Sequence, residues 1–314
     1  MQNDAQFTVR YVMIADEEDG QRLDNYLLRV LKGVPKSHIY RIVRSGEVRI
    51  NRKRAKPSSR VAAGDSIRIP PIRHSSPKTT TVSETLSDCL RHHIIFEDER
   101  LLVLAKPAGI AVHGGSGVSL GVIEAMRQIR PDLHYLELVH RLDRDTSGCL
   151  LLAKKRSCLR AIQALLEARQ VQKTYWALLE HPWQEKSSLV VDMPLLKSVL
   201  KSGERMVVAS ATEGKPSQTS FTVLGNYTEA CWVEVLPKTG RTHQIRVHAA
   251  ELGHPIIGDR KYGQMEMIPS LSGLKSRMYL HARAIQFTLN GKTYCFEADL
   301  DALFSQALEC IKKA

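Results

Sequence analysis

The sequence predicts an α+β protein in two parts: a small basic helix–helix–β unit, then a large domain built on a mainly antiparallel mixed sheet. Three observations carry this. Residues 21–75 hold 14 Lys and Arg against Asp24, Glu47 and Asp65, while the whole 314-residue chain has a net charge of +12. Beyond residue 89, short alternating or apolar runs read as strands, with helices interspersed and no regular β–α alternation. Between them, two apolar runs enclose a dense polar turn, Leu138-Val139-His140-Arg141-Leu142-Asp143-Arg144-Asp145-Thr146-Ser147-Gly148. Buried strands on both sides of such a turn hold charged groups rigidly at a cleft.

Composition narrows the function classes. At 43% hydrophobic and 25% charged, the chain reads as an ordinary globular protein. No apolar run approaches the ~20 residues that span a bilayer, so no membrane partner is expected. The acidic start, with Asp16, Glu17, Glu18 and Asp19, does not read as a signal peptide. The six cysteines include no C-x-x-C pair, which argues against zinc or a disulfide framework and fits a reducing cytoplasm. A basic block confined to about a sixth of the chain points to a polyanion, and nucleic acid is the expected one.

Residues 1–19 read as an edge strand, Phe7 to Ile14, and an acidic turn. Residues 20–75 form the basic unit. Leu23, Leu27 and Leu31 repeat at helical spacing, and Gly33 and Pro35 end that helix. A second helix is capped by Ser37 and closed by Gly46, with Ile39, Ile42 and Val43 on its apolar face. Short strands follow at Val48–Ile50 and Ser66–Ile69. Lys36, Arg41, Arg44, Arg49, Arg52, Lys53 and Arg54, with Lys56 and Arg60, fall on the second helix and the turns after it. Aromatic residues scarcely interleave them, which favours phosphate and shape contacts to structured RNA over base stacking. Residues 76–88, rich in Ser, Thr and Pro, read as a mobile linker.

Residues 89–314 form the large domain. A hairpin at Ile94–Leu104 leads to Lys106-Pro107-Ala108-Gly109, and Gly114–Gly117 reads as a flexible loop rather than a phosphate cradle. A helix carries Leu120, Ile123 and Ile129. Ser157 caps another, and a strand follows with Lys173, Tyr175, Ala177 and Leu179 on alternate positions. Further strands are expected near 189–191, 206–208, 220–224 and 231–236. Gly240-Arg241-Thr242-His243-Gln244-Ile245-Arg246-Val247-His248 opens a helix with Thr242 as its cap. Asn290-Gly291 joins a final hairpin, and a helix with Phe304, Leu308 and Ile311 closes the chain. His140 reads as a hydrogen-bonded structural residue, Asp145 as a partner of the Thr-Ser-Gly turn, and His243 and His248 as structural rather than metal ligands.

Residues 20–75 resemble the S4 RNA-binding domain in length, order of elements and the opening Gly20-x-Arg22-Leu23-Asp24-x-x-Leu27. His140-Arg141-Leu142-Asp143-x-x-Thr146-Ser147-Gly148 together with Gly240–His248 resembles the signature of RluA-type pseudouridine synthases. Lys106-Pro107, Lys173-x-Tyr175, Gly253-His254-Pro255-x-x-Gly258-Asp259 and Leu280-His281-Ala282 match that family too. The resemblance implies a pseudouridine synthase fold and cofactor-free, metal-free isomerisation of uridines in large-subunit (23S) ribosomal RNA. The partner would be that RNA or an assembling subunit, and the protein a monomer. By position, Asp143 is the catalytic aspartate, Arg246 its ion-pair partner, and Tyr175 the residue that packs on the target base. Arg141 is the arginine that fills the gap left by a flipped uridine. A carboxylate in a dry cleft needs such a cation to stay charged. Whether Asp143 attacks the ribose or the base, or works through a glycal, stays open. So do two competing readings, an inert RNA-binding factor and an N-glycosidase.

Overall fold

A computed structural model describes residues 8–31, 33–72, 81–115, 120–184, 186–199, 205–263 and 268–313. The chain separates into two compact units, Met1–Thr81 and Val82–Ala314.

The first unit contains β1 (Arg10–Met13), α1 (Leu23–Val30), α2 (Lys36–Arg44), β2 (Arg49–Ile50), β3 (Lys53–Arg54) and β4 (Ser66–Ile69). Its antiparallel sheet has the order β1-β4-β2-β3, so β1 is an edge strand of this unit and a boundary at residue 20 would cut through it. Leu23, Tyr26 and Leu27 of α1 and Ile39, Ile42 and Val43 of α2 meet Ile67 and Ile69 in one core. The i, i+4 spacing of the leucines puts them on a single helix face. Pro35, not Ser37, precedes α2 as its cap, because Pro35 sets the extended entry and Lys36 is already helical. Gly46 takes φ +81° just past the helix, as expected of a left-handed terminator. Asp24 is buried and accepts the Arg22 guanidinium fork and the Tyr40 hydroxyl, at 2.7 and 2.8 Å. The Arg22 hydrogen bond is the chief reason its carboxyl is lowered to about 2.

The second unit starts with α3 (Glu84–His92), which begins inside the stretch that reads as linker. Ser83 caps it by accepting the Leu86 N–H, and Leu90 is its one fully buried residue. Then come β5 (Ile94–Glu97), β6 (Leu101–Lys106), α4 (Val122–Ile129), β7 (Glu137–Leu138), β8 (Ser147–Ala153) and α5 (Arg156–Glu167). They are followed by β9 (Gln172–Glu180), β10 (Ser188–Asp192), β11 (Leu195–Val199), β12 (Arg205–Ala209), β13 (Gln218–Asn226) and β14 (Ala230–Pro237). Last are α6 (Gln244–Glu251), β15 (Leu280–Leu289), β16 (Lys292–Glu297) and α7 (Ala302–Lys313). The main path of the large sheet is β10-β13-β14-β9-β15-β8-β6-β5, antiparallel except for the parallel pair β15–β8. The β11–β12 hairpin stands apart from it, and β11 is a strand beyond those expected from the sequence. Part of the Gly114–Gly117 loop lies outside the described residues.

Strand β8 explains why an unbroken apolar run follows the polar turn. Leu150 and Leu152 pack toward Leu90, Ile123 and Met126, while Cys149, Leu151 and Ala153 pack toward Ile162, Ile285 and Phe287. Both faces of the strand are covered, so neither side of its period-2 pattern is polar. Gly148 at its start has φ +106°, and a Cβ there would lie 2.2 Å from the Ala282 carbonyl oxygen. Only glycine lets β8 and β15 close here, and this closure delivers the Asp143 turn.

Candidate active site

The polar turn is braced from below. Leu142 is buried in the core, and the Thr146 N–H donates to the Asp143 carbonyl at 3.2 Å. Lys106 at the end of β6 is fully buried and donates to three carbonyls, those of Pro107, Ile110 and Arg144, at 2.8 to 3.0 Å. All three ammonium protons therefore tie the loop after β6 to the turn. Burial pushes the Lys106 pKa down to about 7, against the pull of Asp145 and Asp143. Asp145 is exposed and hydrogen-bonds none of Thr146, Ser147 or Gly148 among the described residues, so it is not the partner of that turn. Its contribution is electrostatic, toward Lys106.

Asp143 emerges from this brace with its side chain 20% exposed. Arg246, in the first turn of α6, donates from Nη1 to Asp143 Oδ2 at 3.2 Å. The same guanidinium grips Asp259 with Nε and Nη2, both at 2.7 Å, and the Asp259 side chain is fully buried. Asp259 also accepts the Lys261 and Tyr262 N–H groups, and the Tyr262 ring lies 5.1 Å from the guanidinium carbon. Burial works against the charge of Arg246. Hydrogen bonds and charge from Asp259, then Asp143, outweigh it and hold the guanidinium above its ordinary value. The loop that carries Asp259 turns at Gly258, where φ is +75° and a Cβ would overlap the Arg277 carbonyl oxygen.

Helix α6 begins after His243, not Thr242. His243 sits in the left-handed region at φ +53°, and its Nδ1 lies 2.7 Å from the Tyr262 hydroxyl. Its Nε2 is 3.8 Å from Asp143 Oδ2, and burial lowers its pKa. The Tyr262 oxygen in turn accepts the Val207 N–H at 3.0 Å. His248, four residues beyond Gln244, turns instead to Ser217, Thr219 and the Met193 carbonyl. The two rings share no partner, and among the described residues no three acidic, histidine or cysteine side chains form a metal-binding group.

A cavity of about 580 Å³ opens over Asp143 and is lined by Arg141, Tyr175 and Arg246 among others. Arg141 is exposed, and Tyr175 on β9 is half-buried beside two hydrophobic clusters. Burial and the charge of Asp143 raise the Tyr175 phenol well above its usual value, so it is a neutral O–H at physiological pH. His140 accepts the Leu151 N–H at 3.2 Å, a structural bond of the kind expected. A second cavity of about 1190 Å³ is also lined by Asp143, Arg141 and Arg246, together with Lys106, Arg144 and Asp259.

In the first unit all seven sequence-predicted cations, Lys36, Arg41, Arg44, Arg49, Arg52, Lys53 and Arg54, are exposed. Arg54 donates to the Ser45 carbonyl and Arg49 to that of Gly46, so the β2–β3 hairpin sits against the end of α2, where Arg41 and Arg44 lie. Tyr40 is an aromatic inside this basic face, with Lys36 and Arg44 at 5.6 and 5.7 Å from its ring centre.

The RNA pseudouridylate synthase model matches residues 100–251, and the S4 domain model matches residues 21–67. The ribosomal large subunit pseudouridine synthase C of Haemophilus influenzae is 49% identical, over 98% of this chain and 96% of the relative. That of Salmonella typhimurium is 50% identical over 98% of both. The chain belongs to the RNA pseudouridine synthase family. A solved structure, human RNA pseudouridylate synthase domain containing 4, superposes with a TM-score of 0.62 at 28% identity, covering 73% of this chain and 96% of that one. The protein is therefore an RNA pseudouridine synthase with an N-terminal S4 domain, and its sheet is that of the family.

In this pseudouridine synthase the sequence carries no readable role for Asp259, Tyr262 or Lys106, and for His243 only a structural one. Asp259 is visible there only as part of the Gly258-Asp259 match. A signal exists: Arg246 is the one arginine in the buried run Gln244–Ala249, and a buried arginine requires a buried acid.

Proposed function

We propose that the protein isomerises uridines of large-subunit ribosomal RNA to pseudouridine, with Asp143 as the catalytic carboxylate. The base is detached at N1, turned and rejoined to the ribose through C5. Reactant and product have the same composition, so the reaction balances without a cofactor. The observation that carries this reading is the Asp143–Arg246 ion pair on the wall of a cavity that Tyr175 and Arg141 also line. Relatives at about 50% identity over nearly the full chain, named as large-subunit enzymes, support the ribosomal substrate.

Asp143 acts on the ribose or the base, or takes part in forming a glycal, while Arg246 holds it in place. Tyr175, kept neutral by its surroundings, packs on the base and donates or relays a proton. Arg141 fills the gap that the flipped uridine leaves. Lys36, Arg41, Arg44, Arg49, Arg52, Lys53 and Arg54 dock phosphates of the same RNA. The protein works as a monomer in the cytoplasm.

The test is Asp143→Asn, which keeps the side-chain shape. RNA carrying tritium at uracil C5 reports the reaction, because the C5 proton is lost when the new bond forms. We expect the variant to fold and bind RNA as the wild type does, with tritium release at least ~1,000-fold slower, on the scale set by removing a reacting group. Pseudouridine persisting at the same positions in cells whose only copy carries Asp143→Asn would sink the assignment.

A further inference from the structure

The cavity holds a cation that the chemistry above does not use. Lys173 lies two residues before Tyr175 on β9, so both side chains leave the same face of the strand, and both line the cavity with Asp143. Lys173 is half-buried and has no hydrogen bond or ion pair among the described residues. No neighbouring acid offsets its burial, which alone pushes its pKa down. Other buried cations of this unit are committed: Arg246 to Asp259 and Asp143, Lys106 to three carbonyls, Lys154 to Glu97. A charge held out of water without a counter-ion is costly, and its partner is then expected to arrive with the substrate.

Position selects the partner. Besides Arg246, which is buried against Asp259 and Asp143, four other cations line the cavity, Arg141, Arg169, Lys238 and Arg241, and all four are exposed. They suit phosphates at the rim. Lys173 is the half-buried one, beside the tyrosine that packs on the base, and its Nζ comes within 3.4 Å of where a Cβ on Gly240 would stand. Resting on the proposed uridine isomerisation, we propose that Lys173 is a further catalytic residue that stabilises the negative charge of the uracil while it is detached from the ribose.

When the C1′–N1 bond breaks, its electron pair leaves with the uracil, and the charge spreads over N1, O2 and O4. The Lys173 ammonium donates a hydrogen bond to a carbonyl oxygen and keeps its proton. The turned base then forms the C5–C1′ bond, C5 loses its proton and N1 gains one, which closes the balance. A fixed cation in a water-poor site costs no reorganisation as that charge develops.

The experiment uses the full chain and transcribed large-subunit RNA with tritium at uracil C5. Lys173→Met is expected to lower kcat about 100-fold, the scale of losing one oxyanion donor, with RNA affinity held within about threefold. Lys173→Arg is expected to recover part of the rate. Because Lys173→Met removes an uncompensated charge, its melting temperature is expected to equal or exceed that of the wild type. A lowered melting temperature together with lost activity would make Lys173 structural and overturn the proposal. An unchanged kcat with weaker RNA binding and a shallower salt dependence would make it a phosphate contact, and overturn it equally. Wild-type protein that releases no tritium would remove the isomerase reading itself, which separates the two failures.

Discussion

The two units use positive charge in opposite ways. In the S4 domain the seven cations stand exposed around α2 and the β2–β3 hairpin, and their ties to the fold are single bonds such as Arg54 to the Ser45 carbonyl. In the catalytic unit Arg246 and Lys106 are buried, and each is satisfied on several sides at once. Exposed charges act nearly independently, through long-range attraction that salt screens. Buried charges are interdependent, because removing one partner strands the other. The first arrangement suits gathering a large polyanion, and the second suits holding one carboxylate in one place.

The sharpest break of this contrast is Asp259→Asn. The asparagine keeps the shape but sets an amide N–H2 against the Arg246 guanidinium, donor against donor. It leaves Arg246 buried with Asp143 as its only acid. We expect a loss of roughly 3–5 kcal/mol, the usual cost of breaking a buried pair. It should appear as a lower melting temperature and a tritium-release rate down by two orders of magnitude or more. A variant with wild-type stability and rate would show that Arg246 does not depend on Asp259, and the contrast would collapse.

How much of the site is legible in the sequence depends on distance along the chain. His140–Gly148 and Gly240–His248 are readable because residue type and spacing are concentrated within nine residues each. The link from Arg246 to Asp259 crosses 13 residues, and that from His243 to Tyr262 crosses 19, through a turn whose path only the fold decides. Helix starts expected at Ser37, Ser157 and Thr242 fall elsewhere because the actual caps, Pro35, Lys155 and His243, make no side-chain capping bond. Helix α3 reads as linker because it buries only Leu90 completely, which is too little apolar periodicity to register. Strand β8, buried on both faces, announces itself by its unbroken run.

A second test probes the burial of the catalytic unit by pH. His140 accepts the Leu151 N–H, and burial, with the charge of Lys173, lowers its pKa from the ordinary 6.5 to about 4. The unfolded chain therefore takes up this proton at higher pH than the folded one. The stability His140 contributes is complete above about pH 6.5 and is lost as pH falls toward 4. At about 1.4 kcal/mol per pKa unit, the loss is at most about 3.5 kcal/mol. His140→Gln keeps an acceptor for Leu151 and cannot titrate. Unfolding measured from pH 7 to pH 4 should therefore fall less steeply for the variant. Parallel curves would assign the acid sensitivity to other groups.

The smallest effects belong to the S4 cations, and their smallness is the point. Arg41 is 61% exposed on its side chain and its ion pair with Glu47 is long, at 3.4 Å. Arg44 lies over the Tyr40 ring and makes no hydrogen bond or ion pair among the described residues. Neither supports the core, so Arg41→Ala and Arg44→Ala should leave stability within about 0.5 kcal/mol. For RNA binding, removing one cation from a phosphate should make the slope of log K against log salt shallower by roughly 0.7–0.9. The double variant should show close to the sum of the two changes, with kcat unchanged at saturating RNA. Strong non-additivity would mean that these arginines form one coupled site like that around Arg246. An unchanged salt slope would take α2 out of the RNA interface altogether.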